Sequence, residues 1–172
     1  YMFFRSVTLP WRGMHFGRYF GDSEDPTKLR PIFVGDPALV RGYDANSIDP
    51  NECTGTPEDS CPEFNRLLGS RVAVLDAELR IPLFGTPELG IFETRFLPIE
   101  IAPFVDAGVA WSGDESADIR FVRNSTERVP VVSAGISTRL NLFGALIVEA
   151  FYAYPFQRDV GWVGGFQLAP GW

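Results

Sequence analysis

Val72-Ala73-Val74-Leu75-Asp76-Ala77-Glu78-Leu79-Arg80-Ile81-Pro82-Leu83 decides the fold. Every second residue, from Ala73 through Leu75, Ala77, Leu79 and Ile81 to Leu83, is apolar. Between them stand Val72, Val74, Asp76, Glu78 and Arg80. Successive side chains of a strand point to opposite sides, so this spacing predicts one oily face and one that turns charged.

The same pattern recurs downstream. In 97–111, Leu97, Ile99, Ile101, Val105, Val109 and Trp111 share a face with Pro103 and Ala107, opposite Glu100, Phe104, Asp106 and Gly108. In 131–143, Val132, Ala134, Ile136, Leu140 and Leu142 alternate with Ser133, Gly135, Ser137, Arg139 and Asn141. In 146–156, Val148, Ala150, Tyr152, Tyr154 and Phe156 stand against Glu149. In 162–172, Trp162, Phe166, Leu168 and Trp172 stand against Gly165 and Gln167. The first segment, 3–19, is the least regular and predicts one strand, with Pro10 and Gly13 at an edge or bend.

Segments of about ten residues suit strands tilted across a hydrocarbon layer. A soluble β-sandwich also alternates. Two features favour a membrane barrel. Trp111, Tyr154, Phe156, Trp162 and Trp172 stand near strand ends, as interfacial girdles do, and Glu, Asp, Arg and Asn occupy mid-strand, as a wet lumen allows. Connections point the same way: 141–146 and 157–161 read as tight turns at one end, while 111–129 and about 20–66 read as long loops at the other. The last is not low-complexity, so it is expected to be ordered and to have a job.

Composition agrees. The 172 residues carry 17 glycines and 14 prolines, too many for a helical bundle. No apolar run approaches the roughly 18 residues of a membrane helix. A net charge of -7 disfavours nucleic acid as a partner, since phosphate binding needs a basic surface. The chain starts at Tyr1 and shows no signal peptide, so it reads as a processed mature chain or as an excerpt.

Leu39-Val40-Arg41-Gly42-Tyr43-Asp44, inside the long loop, resembles the VRG(F/Y) signature of the BamA/TamA-type outer-membrane assembly factors, the bacterial surface antigen family. Phe104-Val105-Asp106-Ala107-Gly108 resembles the family's F-x-D-x-G strand, and Ala77-Glu78-Leu79-Arg80 its intervening acidic strand. Tyr154-Pro155-Phe156, Gly161-Trp162 and the terminal aromatic also fit, so the resemblance runs from about His15 to Trp172.

The resemblance implies an all-β, antiparallel transmembrane barrel, one domain over 1–172, with the VRGY loop folded into the lumen. Arg41 would pair there with lumenal acids, Gly42 would permit a tight backbone, and Tyr43 would pack on the wall. Glu78 and Asp106 fall on the polar faces found by periodicity alone. A guanidinium is a permanently charged planar fork of donors, which suits a carboxylate cluster inside a barrel. The ordinary alternative for Arg41 is a solvated loop charge. Phe166, Leu168 and Trp172 resemble the C-terminal β-signal, or are simply a lipid-facing edge.

The resemblance places the chain in the bacterial outer membrane, contacting lipid, client outer-membrane proteins and other copies of itself. Its role would be insertion, assembly or translocation, with a structural or oligomeric barrel and a passive pore as alternatives. About six strands fall below the ~8 of the smallest barrels, so another copy or N-terminal strands must complete the wall.

Cys53 and Cys61, the only cysteines, read as a disulfide in an oxidising compartment, with free thiols as the alternative. No metal or cofactor is expected. Asp44, Asn46, Asp49 and Glu52 fail the EF-hand spacing and read as turn residues. His15 has no recognisable nucleophile partner, and Glu100 with Glu149 reads as part of a hydrogen-bond network, so no enzyme is expected.

Overall fold

The computed structural model describes residues 3–4, 7–9, 14–22, 31–54, 61–85, 91–93, 98–112, 117–123, 127–143 and 145–170. The strands are β1 (Phe3–Phe4), β2 (Val7–Leu9), β3 (Met14–Asp22), β4 (Ile32–Phe33), β5 (Leu68–Gly69) and β6 (Arg71–Leu79). They continue with β7 (Ile81–Gly85), β8 (Phe92–Glu93), β9 (Ile99–Trp111), β10 (Val131–Leu142), β11 (Leu146–Pro155) and β12 (Val163–Pro170). One α-helical turn, α1 (Pro62–Asn65), and two short 3-10 turns complete the described elements.

Among the described residues, ten strands form one mostly antiparallel sheet in the order β1-β3-β6-β9-β10-β11-β12, with β2 also on β3, β7 on β9, and β8 in parallel on β7. Among the described residues the sheet is open: β12 has β11 as its neighbour and no pairing to β1 or β2. The register places Glu78 opposite Phe104, Asp106 opposite Ser133, and Arg139 between Glu100 and Glu149.

Three expectations need correction. The segment 3–19 is not one strand but a hairpin, pairing Phe3 with Phe20 and Leu9 with Met14, so the count of six was low. Pro10 and Gly13 themselves lie outside the described residues. The stretch 72–83 also divides: β6 ends at Leu79, and β7 pairs on with β9 through an irregularity between Pro82 and Phe84. A proline supplies no N–H to a ladder, which is why the register slips there. Finally, the 157–161 turn is not at the same end as the 141–146 turn. It follows Pro155, which pairs with Ser133 near the start of β10, so it shares its end with the long loops.

The two faces of the sheet are sorted opposite to those of a soluble domain. The apolar parity is bare: Leu75 is 54% exposed, Val105 49%, Ile136 46% and Phe166 74%. The parity carrying charge is covered, with Glu78, Asp106, Ser133, Ser137 and Glu149 all buried. The cover is the loop segment 31–54. Its Val34, Val40 and Tyr43 form a buried cluster with Val72, Val74, Ala110 and Val131.

Candidate functional site

The loop lies where it does because the sheet leaves room for it. Gly108 sits beneath Val40 and Val34, and a Cβ there would fall 2.6 and 2.7 Å from their methyl carbons. Such contacts are too short for any side chain, so glycine at this position creates the seat. At the tip, Gly42 adopts φ +87°, a conformation that L-residues other than Asn and Asp rarely visit. It also passes close to Ala153 of β11.

This backbone turn delivers Arg41 to three carboxylates on three strands. Its Nε and Nη2 each donate to Asp106 of β9 at 2.8 Å, a bidentate fork. Nη1 donates to Glu78 of β6 and to Glu149 of β11, both at 2.9 Å. The backbone N–H of Arg41 donates to Asp106 as well, at 3.1 Å. The guanidinium carbon lies 3.4 Å from the centre of the Phe104 ring, whose negative face favours a cation. Burial alone would weaken the charge of Arg41. The bond to Asp106, with the fields of Asp106, Glu78 and Glu149, outweighs burial and holds its pKa above the ordinary value.

Two further arginines close the network. Arg139 donates to Glu149 at 2.7 Å and pairs with Glu78 at 2.9 Å, and Arg80 reaches Glu78 at 2.8 Å. Arg41, Arg80 and Arg139 thus balance Glu78, Asp106 and Glu149 in charge. Buried ions survive when paired and hydrogen-bonded, and one removed partner leaves a buried charge alone.

Tyr43 is held separately. Its hydroxyl lies 2.7 Å from Gln157 Oε1 and 3.0 Å from the Val132 carbonyl, and accepts from the Gln157 N–H. Burial pushes the phenol up to about 12, so it stays protonated and donates.

Arg158, in the connection after β11, is a second clamp. It donates to the Gly42 carbonyl at 2.7 Å, to Ser47 through both Oγ and the carbonyl, and to both carboxylate oxygens of Glu52. Burial alone would raise the Glu52 carboxyl, but the Arg158 bonds overcome it and hold it below the usual range. Next to Glu52, Cys53 is disulfide-bonded to Cys61.

Val40, Arg41, Gly42, Tyr43, Glu78, Phe104, Asp106 and Gly108 therefore meet at one place on the covered face. Phe166 and Leu168 lie away from it, on the bare face of β12. Trp172 is outside the described residues. Sequence reasoning put Glu149 and Arg139 on polar faces without assigning them to the network around Arg41, and missed Arg158 and Gln157 altogether. The period-two pattern gives the face of the first two but not the loop residue they meet. No local signal marks a turn arginine whose partners are more than a hundred residues away.

No curated protein and no solved structure matches the chain. The Omp85 superfamily domain matches residues 13–168, a span that contains the covering loop, the three carboxylates and both arginine clamps. The chain belongs to the Omp85 superfamily, a family of outer-membrane protein assembly and translocation.

Proposed function

We propose that this chain forms the C-terminal wall of an outer-membrane β-barrel, with the VRGY loop folded into the lumen, and that it serves in insertion, assembly or translocation of outer-membrane proteins. One observation carries the reading: the sheet bares its apolar parity and covers its charged one. Water outside would reverse that sorting, whereas lipid outside and a polar lumen inside call for it. Within lipid an open sheet edge would leave backbone groups unpaired at several kcal/mol each, so further strands pair with the two edges. They come from the same polypeptide or from another copy.

A role in assembly, rather than a passive pore, is supported by the loop itself. Three arginines and three buried carboxylates fix it across the covered face, where a wide pore would need an open passage.

The test is an Arg41→Ala substitution in the gene that encodes the chain, followed by measurement of folded client barrels in the outer membrane. Depletion of clients while the protein itself remains inserted supports the assembly role. Normal client levels with a loosened loop would support the structural barrel instead.

A further inference from the structure

Ile119 and Phe121 are 88% and 66% exposed on the connection between β9 and β10. That connection does not stand clear of the sheet. The Phe121 ring lies 6.4 Å from that of Phe156, edge-on. Ring contacts then continue from Phe156 to Tyr154 at 5.5 Å, from Tyr154 to Trp162 at 5.7 Å, and from Trp162 to Tyr152 at 5.1 Å in a stack. Tyr152, Tyr154 and Phe156 belong to the bare parity of β11 and its extension. The five rings form one line along the loop end of the bare face.

At the opposite end, in the β10–β11 turn, Phe143 is also exposed. Between these borders β11 runs for 10 residues, roughly 33 Å of strand, the length a tilted strand uses to cross hydrocarbon. The charges beside Phe121 are already matched: Arg120 pairs with Asp118 and Glu127, and Arg123 with Asp159.

We propose that 119–121 is a finger at the membrane interface: Ile119 and Phe121 enter the boundary between headgroups and acyl chains, with the aromatic line as its base. Lipid is the occupant because the apolar edge of the finger is continuous with the bare face, and because tryptophan and tyrosine favour this boundary. Its arginines have carboxylate partners, so apolar insertion rather than phosphate capture drives the contact, and salt has little effect on it. The inference rests on the bare face being lipid-facing.

The test uses three variants of the protein, each with one added cysteine that carries an environment-sensitive fluorophore while the Cys53–Cys61 bridge stays oxidised, in phosphatidylcholine vesicles with nitroxide-labelled lipid. Phe121→Cys reports the finger, Phe166→Cys the bare face, and Asn46→Cys the exposed covering loop. The label at 121 is expected to emit to the blue of the label at 46. It is also expected to be quenched roughly twofold more by nitroxide near the top of the acyl chain than at its end, as for a shallow insertion. Both results should persist in high salt. Quenching at 166 with water-like behaviour at 121 would overturn the finger and leave the lipid-facing sheet standing. Shielding at 121 without lipid quenching would mean contact with protein and overturn it too. No quenching at either site would overturn both readings. An unlabelled Ile119→Ser/Phe121→Ser variant gives an independent readout. In vesicles, added trypsin should cut after Arg120 faster in the variant than in the native protein, and equal rates would contradict the proposal.

Discussion

Asp106 receives Arg41 three times, from Nε and Nη2 at 2.8 Å and from the backbone N–H at 3.1 Å. A strand carboxylate thereby fixes both the side chain and the chain path of a loop residue 65 positions away. The fork is geometrically demanding, so lysine cannot replace arginine there.

Arg41→Ala and Asp106→Asn should each lower stability in detergent by about 3–5 kcal/mol, because each leaves buried charge without its partner. The double variant should be less destabilised than the sum, with a coupling of about 0.5–3 kcal/mol. Unfolding in denaturant, followed by tryptophan fluorescence, gives all four corners of the cycle. Fully additive losses would show that the residues do not act as a pair.

Gly108→Ala should cost about 1–3 kcal/mol by overpacking against Val40 and Val34. Adding Val40→Ala should recover part of that loss, since one of the two opposing methyl carbons is gone. Loop protection from protease in the two variants measures the recovery. A second substitution that only adds to the damage would contradict the seat.

Glu52 gives the loop a pH dependence. Its folded pKa lies below the ordinary carboxylate value because of Arg158, so its contribution is complete above the unfolded value of about 4.3 and fades as pH falls through the folded one. Proteolysis of 44–54 by an acid-active protease should therefore accelerate as pH drops below that range. In Glu52→Gln the acceleration should be absent and the loop looser throughout. An unchanged profile in Glu52→Gln would show that another group titrates.

The Cys53–Cys61 bridge makes the unreduced protein two hydrogens lighter than the reduced one by mass spectrometry. On chain-entropy grounds a loop this short contributes roughly 2–3 kcal/mol. Reductant should consequently expose 44–66 to protease before the sheet unfolds, and simultaneous loss of both would place the bridge in the global transition instead.

Much of this arrangement was legible in the sequence because the two faces of each strand meet different surroundings. Alternation located β6, β9, β10, β11 and β12, and put Glu78, Asp106, Arg139 and Glu149 on the covered parity. It failed at 3–19, where Pro10 and Gly13 mark a bend and a reversal equally well. It also failed at Arg158, whose role depends on which connections share an end of the sheet, a matter of topology rather than spacing. Short β4 and β5, two residues each, are too brief to show a period at all.

The sorting of faces is tested most directly along β10. Nitroxide side chains placed singly from Val131 to Leu142, in lipid vesicles, report collision with oxygen, which concentrates in hydrocarbon, and with a water-soluble nickel chelate. A period of two is expected, with oxygen favoured at Val132, Ala134, Ile136 and Leu140 and both quenchers restricted at Val131, Ser133 and Ser137. Nickel access at Ala134 and Ile136 equal to that of a free loop would contradict it, because the bare apolar face would then be facing water.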